Sequence, residues 1–289
     1  MADLNSTAKS TVKATTSVKA KKSSNIVSLL APFLCVIAGY MFWRFAIGAD
    51  SNFTNPDPAG GFWPKQTGPK DDFARMYDGG IIVPVLIGCF LIVLTFIIER
   101  WLTIVKAVGK GSNAEFVRKV QFFLADKKID SAIAECDRQK GSVGNVMKAG
   151  LRKYKAMIDE SQLTTEQKVL AIQKEVEEAT SLELPMLEKN LVFLSTLASV
   201  STLIGLLGTV IGMIRAFSSL GEGSGSSGGQ AQELSRGIAE ALYNTALGIG
   251  TSAVAIISYN VFTTKIDAIT YGIDESGFTL TQSFASLYK

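Results

Sequence analysis

The residues of this chain best suited to handling protons away from water lie in its last two long apolar stretches. In the stretch 191–217, Ser195, Ser199, Thr202 and Thr209 project within about 40° of one line on a helix turning about 100° per residue. Such a row of hydroxyls offers hydrogen bonds to water or to a protonated acid inside a bilayer. The stretch 238–261 opens with Glu240, and Asn244, Thr251 and Ser258 project within about 40° of it. An ionised carboxylate in hydrocarbon costs on the order of 3 kcal/mol, so an acid placed there usually faces a cavity and serves transport. Two plainer readings stand beside this one. Serine and threonine are tolerated in spans because they bond back to their own helix carbonyls. Residues 241–261 are also long enough to cross without Glu240, which would then be interfacial.

Small residues accompany both rows. Gly205, Gly208 and Gly212 recur at about one-turn intervals, and Gly248 and Gly250 sit in the last stretch with Ala253 and Ala255. Small residues let two helix backbones approach closely, so these positions predict tight packing of the two spans. A proton path normally needs a group within the membrane that takes up and releases protons. Apart from Glu240, near one end, no acid lies in any proposed span. If protons cross here, a partner chain supplies the central carboxylate. The hydroxyl rows then face that partner from several copies of this chain.

The elements that must position these residues follow from composition. Of 289 residues, 47% are hydrophobic and 19% charged. With a mean hydropathy of +0.25, this is the balance of a membrane protein. The net charge of +3 gives no dominant basic face, so nucleic acid is not an expected partner. The chain has no histidine, which removes Ser-His-Asp and Cys-His catalysis and histidine metal sites. Cys35, Cys89 and Cys136 are far apart and form no paired motif. Neither catalytic residues, metal nor cofactor is expected. Within Gly221–Gly229, a G-x-G-x-x-G match (Gly223–Gly228) and a G-x-S-x-G match (Gly225–Gly229) lack the preceding strand those motifs need, and a flexible linker explains the composition.

Four stretches are long enough to span a bilayer: 26–47, 80–98, 191–217 and 238–261. The expected fold is an all-α integral membrane protein with four transmembrane helices. The first stretch follows Lys19, Lys21 and Lys22 but is too long for a signal peptide, so it reads as a retained helix. Tyr40, Trp43 and Arg44 near its far end suit an interfacial belt. Basic residues set orientation. Five lysines lie in the N-terminal tail and sixteen basic residues in 99–190, against three in 49–78 and one in 218–236. The tail 1–25 is therefore expected inside, the loop 48–79 outside, the segment 99–190 inside, the Gly-rich loop 218–237 outside, and 262–289 inside as a C-terminal helix.

The tail has little to bury and is expected to be disordered, resting on anionic lipid. In the first loop, Asn55 to Gly61 is a run of helix and strand breakers with no regular structure expected, and Phe62 and Trp63 are placed to touch the membrane surface. The segment 99–190 reads as helices. Phe116, Val120, Phe123 and Leu124 mark one, Ile129, Ala132, Ile133 and Cys136 a second, and Val143–Tyr154 a third after Gly141 and Ser142. Thr164 with Gln167 has the spacing of a capping box. The apolar pattern from Thr165 continues almost into the third span, so one helix could run from Thr165 to Phe217, with Pro185 expected to kink or split it. The plainer view makes these helices a self-packed internal domain.

The stretches Gly205-Leu206-Leu207-Gly208-Thr209-Val210-Ile211-Gly212-Met213 and Gly237-Ile238-Ala239-Glu240-Ala241-Leu242-Tyr243-Asn244-Thr245-Ala246-Leu247-Gly248 resemble the MotA/TolQ/ExbB proton-channel family, closest to ExbB and TolQ. Tyr259-Asn260 fits the inner end of the family's last span. The match covers about 191–267 and extends more weakly to Glu99-Arg100 and the internal helices. The resemblance implies a homopentamer in the bacterial inner membrane, enclosing transmembrane helices of an ExbD/TolR-type partner whose aspartate carries the proton. It implies a motor driven by the proton motive force, acting on a TonB-type protein to energise outer-membrane transport. A TolQ-like or gliding-type role, or a passive membrane scaffold, is the alternative; a membrane enzyme is disfavoured. By motif position Thr209, Glu240 and Thr245 match family pore-lining residues, with Ser199, Thr202, Asn244 and Thr251 added from the polar rows. Thr245 projects about 140° from Glu240, and so is expected to face a neighbouring copy's contact with the pore. The family usually has proline where this chain has Thr202 and Val254, and the first span is additional to its three-span plan.

Overall fold

Long apolar runs satisfy their own backbone hydrogen bonds in a bilayer by forming helices, and all four do so. A computed structural model describes residues 26–56, 66–221 and 227–288. The basic tail, Phe62, Trp63 and residues 222–226 of the glycine-loop motifs lie outside the described residues. The helices are α1 (Ile26–Phe42), α2 (Asp72–Arg75), α3 (Ile82–Val108), α4 (Asn113–Ala125), α5 (Ile129–Gln139), α6 (Ser142–Asp159), α7 (Thr165–Glu188), α8 (Leu191–Gly221) and α9 (Ser227–Leu287). Four of them are long and apolar enough to cross a membrane, and the chain is a multi-pass, all-α membrane protein.

The antiparallel pair α8–α9 is the centre of the molecule, with α3 packed on both and α1 packed on α3. Glycines set the spacing. A Cβ at Gly248 would lie 2.6 Å from the Ser201 carbonyl oxygen, and one at Gly208 2.5 Å from Asn244 Cβ. One at Gly212 would lie 2.9 Å from the Gly237 carbonyl oxygen, and one at Gly205 3.0 Å from that of Asn244. The α1–α3 crossing is equally close, since a Cβ at Gly39 would lie 2.6 Å from the Gly88 nitrogen. Apart from Gly208, which meets the Asn244 side chain, these are backbone-to-backbone approaches that small residues permit.

The helices α4–α7 pack around the second half of α9. Phe116, Val120, Leu124, Met147, Leu151, Tyr154 and Ile172 bury against Ile273, Leu280 and Phe284. Cys136 is buried in the same core, and burial, then the neighbouring Asp137 carboxylate, push its thiol up to about 12. Only the thiolate is nucleophilic. In the native protein at pH 8, Cys136 is expected to resist maleimide and to react fully after denaturation, as read by mass shift.

Several elements depart from the sequence expectations. The helix from Thr165 breaks, but at Lys189–Asn190 rather than at Pro185, which α7 carries within it. Thr164 and Gln167 form the capping box at its start. At its end Arg100, 2% exposed, donates to the carbonyls of Leu187 at 3.1 Å and Met186 at 3.5 Å. Asn190 takes φ +67° and donates through Nδ2 to Glu99 Oε2 at 3.2 Å. The last carbonyls of α7 are thus capped by a side chain from α3, and the chain turns there. The expected loop 218–237 is largely helix, because α8 runs to Gly221 and α9 begins at Ser227. Ala231, Gln232, Glu233 and Leu234 are strong helix formers with no proline among them. No separate C-terminal helix begins at 262, since α9 is continuous to Leu287. In the first loop, Phe53–Asn55 pairs antiparallel with Thr67–Pro69 as strands β1 and β2.

Trp43 is fully buried and stacks on Tyr77 with ring centroids 4.2 Å apart. With Ile47, Phe53, Ala74, Val83 and Ile87 it forms a small second core beside the Gly79–Gly80 turn.

Candidate functional site

The polar rows of the last two spans separate once the helices pack. On α8, Ser195 and Ser199 are exposed and Thr202 and Thr209 half-buried, so this row lies on the open side of the protomer. Its hydroxyls also bond back along the helix: Ser195 donates to the Val192 carbonyl at 3.2 Å, Thr202 to Ala198 at 3.4 Å and Thr209 to Gly205 at 3.3 Å. The row on α9 turns the other way. Glu240, Asn244 and Thr251 are buried. Asn244 Nδ2 donates to the Gly79 carbonyl at 3.1 Å, and Thr251 faces Leu86, Ile87 and Phe90 of α3. Asn244 and Thr251 therefore sit inside the protomer rather than on the open α8 row. The helical projection grouped them with Glu240 correctly but could not say which neighbour they face.

Thr245 lies where its projection puts it, and the structure supplies the neighbour it meets. It points away from Glu240, toward α8 in the same protomer. The Thr209 and Thr245 hydroxyls are hydrogen-bonded to each other. Both also lie within reach of the Gly205 carbonyl, at 3.3 Å and 3.4 Å. Two hydroxyl protons serve these contacts, so two donor orders exist: Thr209 to Thr245 to Gly205, or the reverse. Both threonines are half-buried, which leaves the pair open on one side of the α8–α9 seam. Gly205, Gly208 and Gly248 flank it and let the two hydroxyls meet.

Glu240 lies about one and a half turns above Thr245 on α9. Its Oε1 accepts from Arg215 Nη1 of α8 at 2.6 Å. The Gly79–Gly80 turn closes over this ion pair. Gly80 has φ +67°, and a Cβ there would fall 2.7 Å from Glu240 Oε1 and 2.9 Å from Arg215 Nη1. The sequence reading missed Arg215 and this turn. The signal for Arg215 was present, since it is the only charged residue in 191–217. No cluster of acids, cysteines or histidines able to hold a metal occurs among the described residues.

Hydroxyls that meet across two glycine-spaced spans are among the contacts by which membrane helices pack closely. Residues 138–275 match the model of the MotA/TolQ/ExbB proton channel family. The matched segment contains the whole seam. Among curated proteins, the chain is 39% identical over 87 residues to the putative biopolymer transport protein ExbB-like 3 of Synechocystis sp., covering 30% of this chain and 41% of that one. It is 42% identical over 91 residues to the Tol-Pal system protein TolQ of Haemophilus influenzae, covering 32% and 39%. It is 29% identical over 139 residues to TolQ of Pseudomonas aeruginosa, covering 46% and 59%. The match thus spans about two-fifths of the first two relatives.

Proposed function

We propose that this chain is an ExbB/TolQ-type subunit of a proton channel in the bacterial inner membrane. Copies form a ring, a homopentamer by family likeness, around transmembrane helices of an ExbD/TolR-type partner. That partner supplies the central carboxylate that the spans of this chain lack. The observation that carries the reading is the Thr209–Thr245 pair, half-open at the α8–α9 seam beside the exposed hydroxyl row. Hydroxyls with two donor orders can pass hydrogen-bond polarity along to a protonated acid without a charge of their own.

In this reading Thr209, Thr245, Thr202 and Ser199 face the enclosed helices, and Glu240 stands near the outer end. Asn244 and Thr251 are left to packing against α3. The tail, α4–α7 and the far half of α9 lie on the cytoplasmic side. The energy of proton entry is delivered to a TonB-type protein for outer-membrane transport. The relatives include both ExbB-like and TolQ proteins, which supports a TolQ-like role in the envelope as the second reading.

Proton flux into vesicles holding both chains tests this. Thr209→Val with Thr245→Val keeps shape but removes both hydroxyls. Potential-driven flux is expected to fall about a hundredfold, with two lost polar contacts each counted at about tenfold. The assembled complex should keep its native size. Undiminished flux in the double valine variant would sink the assignment.

A further inference from the structure

The proton path proposed above makes no use of Arg215. It is nonetheless placed with care. An isolated arginine near the end of a span normally extends to the membrane surface. Arg215 instead turns across the seam to Glu240, and this is its one hydrogen bond among the described residues. Its side chain is 53% exposed, whereas that of Glu240 is 7% exposed. The carboxylate lies under the Gly80 backbone and takes the guanidinium on Oε1, and Asn244 one turn further along α9 is tied to the Gly79 carbonyl. Arg236, one turn before Glu240 on α9, reaches the Gln66 carbonyl at 3.5 Å.

Charge accounting gives the pair a role. Arg215 stands six residues along α8 from Thr209, a rise of about 9 Å. A bare unit charge about 10 Å from a cation's path, at an effective dielectric of about 20, changes the local cation population on the order of tenfold. A lone guanidinium at the outer end would therefore repel the ions that must enter. We infer that Glu240 is the counter-charge of Arg215, and that the pair, locked by the Gly79–Gly80 turn, keeps the mouth above the Thr209–Thr245 seam electrically neutral. Glu240 is required because Arg215 is present. Arg215 in turn is a positioning residue that holds the buried carboxylate against α8.

This inference rests on the proposed proton path, and a second-site rescue separates the two. Flux is measured in vesicles of the full complex for the unaltered chain, Glu240→Gln, and Glu240→Gln combined with Arg215→Gln. The paired amides keep the shape and a hydrogen bond without the charges. Glu240→Gln alone is expected to lose about tenfold in flux, and the double variant to recover to within about threefold of the unaltered chain. A double variant no better than Glu240→Gln, in complexes of native size, would overturn the neutralisation role. If the unaltered complex conducts no protons at all, the proton path itself fails instead.

Discussion

Gly248→Ala is expected to cost about 3 kcal/mol of stability, while Gly250→Ala, two residues further on, costs nothing. The contrast comes from what each new methyl meets. At Gly248 it would lie 2.6 Å from the Ser201 carbonyl oxygen and 2.9 Å from Gly205 Cα, both backbone atoms of α8. No side chain can rotate away, so the helices must separate along the whole seam. Ser252, one turn further, donates to the Ala198 carbonyl at 2.5 Å and would lose that bond as the helices part. At Gly250 a Cβ meets nothing within 4 Å. Removing glycine from a helix interior there gains about 0.5–1 kcal/mol. Unfolding in mixed detergent micelles, followed by circular dichroism, reads both. Equal midpoints for the two variants would mean that the α8–α9 contact does not hold the spans together. Because Thr209 and Thr245 meet across the same contact, Gly248→Ala is also expected to abolish proton flux.

That seam was only half legible in the sequence. The glycine spacing pointed to close packing, and the hydroxyl row on α8 was visible as a helical line. What a one-dimensional projection lacks is the identity of the neighbour on each side. Glu240, Asn244 and Thr251 do share a face of α9, but that face is covered by α3 and by the Gly79–Gly80 turn. Thr245 looked misplaced only because its partner, Thr209, is on another helix. The internal helices were readable because their apolar residues repeat at helical spacing, as at Phe116, Val120 and Leu124. The end of α7 was not. Proline is the strongest local breaker, so Pro185 drew the expected break, yet the break belongs to Asn190. Its cause is Arg100, which lies far away in sequence.

The outer cap was illegible for the same reason. Trp43 reads as an interfacial residue from its position at the end of a span. Its burial depends on Tyr77, supplied from beyond β2, and that stack fixes the route of the chain into Gly79 and Gly80. The first span joins the Gly79–Gly80 turn through this cap. Packing decided each of these points, and packing is the information that residue types and local periodicity do not contain.

Arg100→Met is expected to destabilise the protein by about 3–5 kcal/mol, the usual consequence of removing one partner from a buried ion pair. Arg100 is almost wholly enclosed, and its Nε donates to Glu99 Oε2 at 2.6 Å while Nη1 caps the end of α7. Methionine fills the space but leaves the Leu187 carbonyl and the Glu99 carboxylate without their cation. The effect on pH dependence has a definite sign. Burial opposes ionisation of Glu99, but the hydrogen bond and charge of Arg100, with help from Asn190 and Thr103, outweigh it and hold the carboxyl below its ordinary 4.5. The unfolded chain then binds the proton more readily than the folded one. This contribution is fully present above about pH 4.5 and is lost as pH falls through the lower folded value. In Arg100→Met, burial is left to act with the cation gone, so the acid-side loss should shrink or reverse. Unfolding midpoints measured between pH 7 and pH 3 for both chains give the difference curve that checks this. Parallel curves would show that Glu99 and Arg100 are not coupled. Adding Glu99→Gln to Arg100→Met should recover part of the lost stability, because it removes the half-buried carboxylate left without its cation. The same double variant still lacks the cap on α7, so recovery should stop short of the unaltered chain. The remaining gap measures what Arg100 contributes to turning the chain from α7 into the span that carries Thr209.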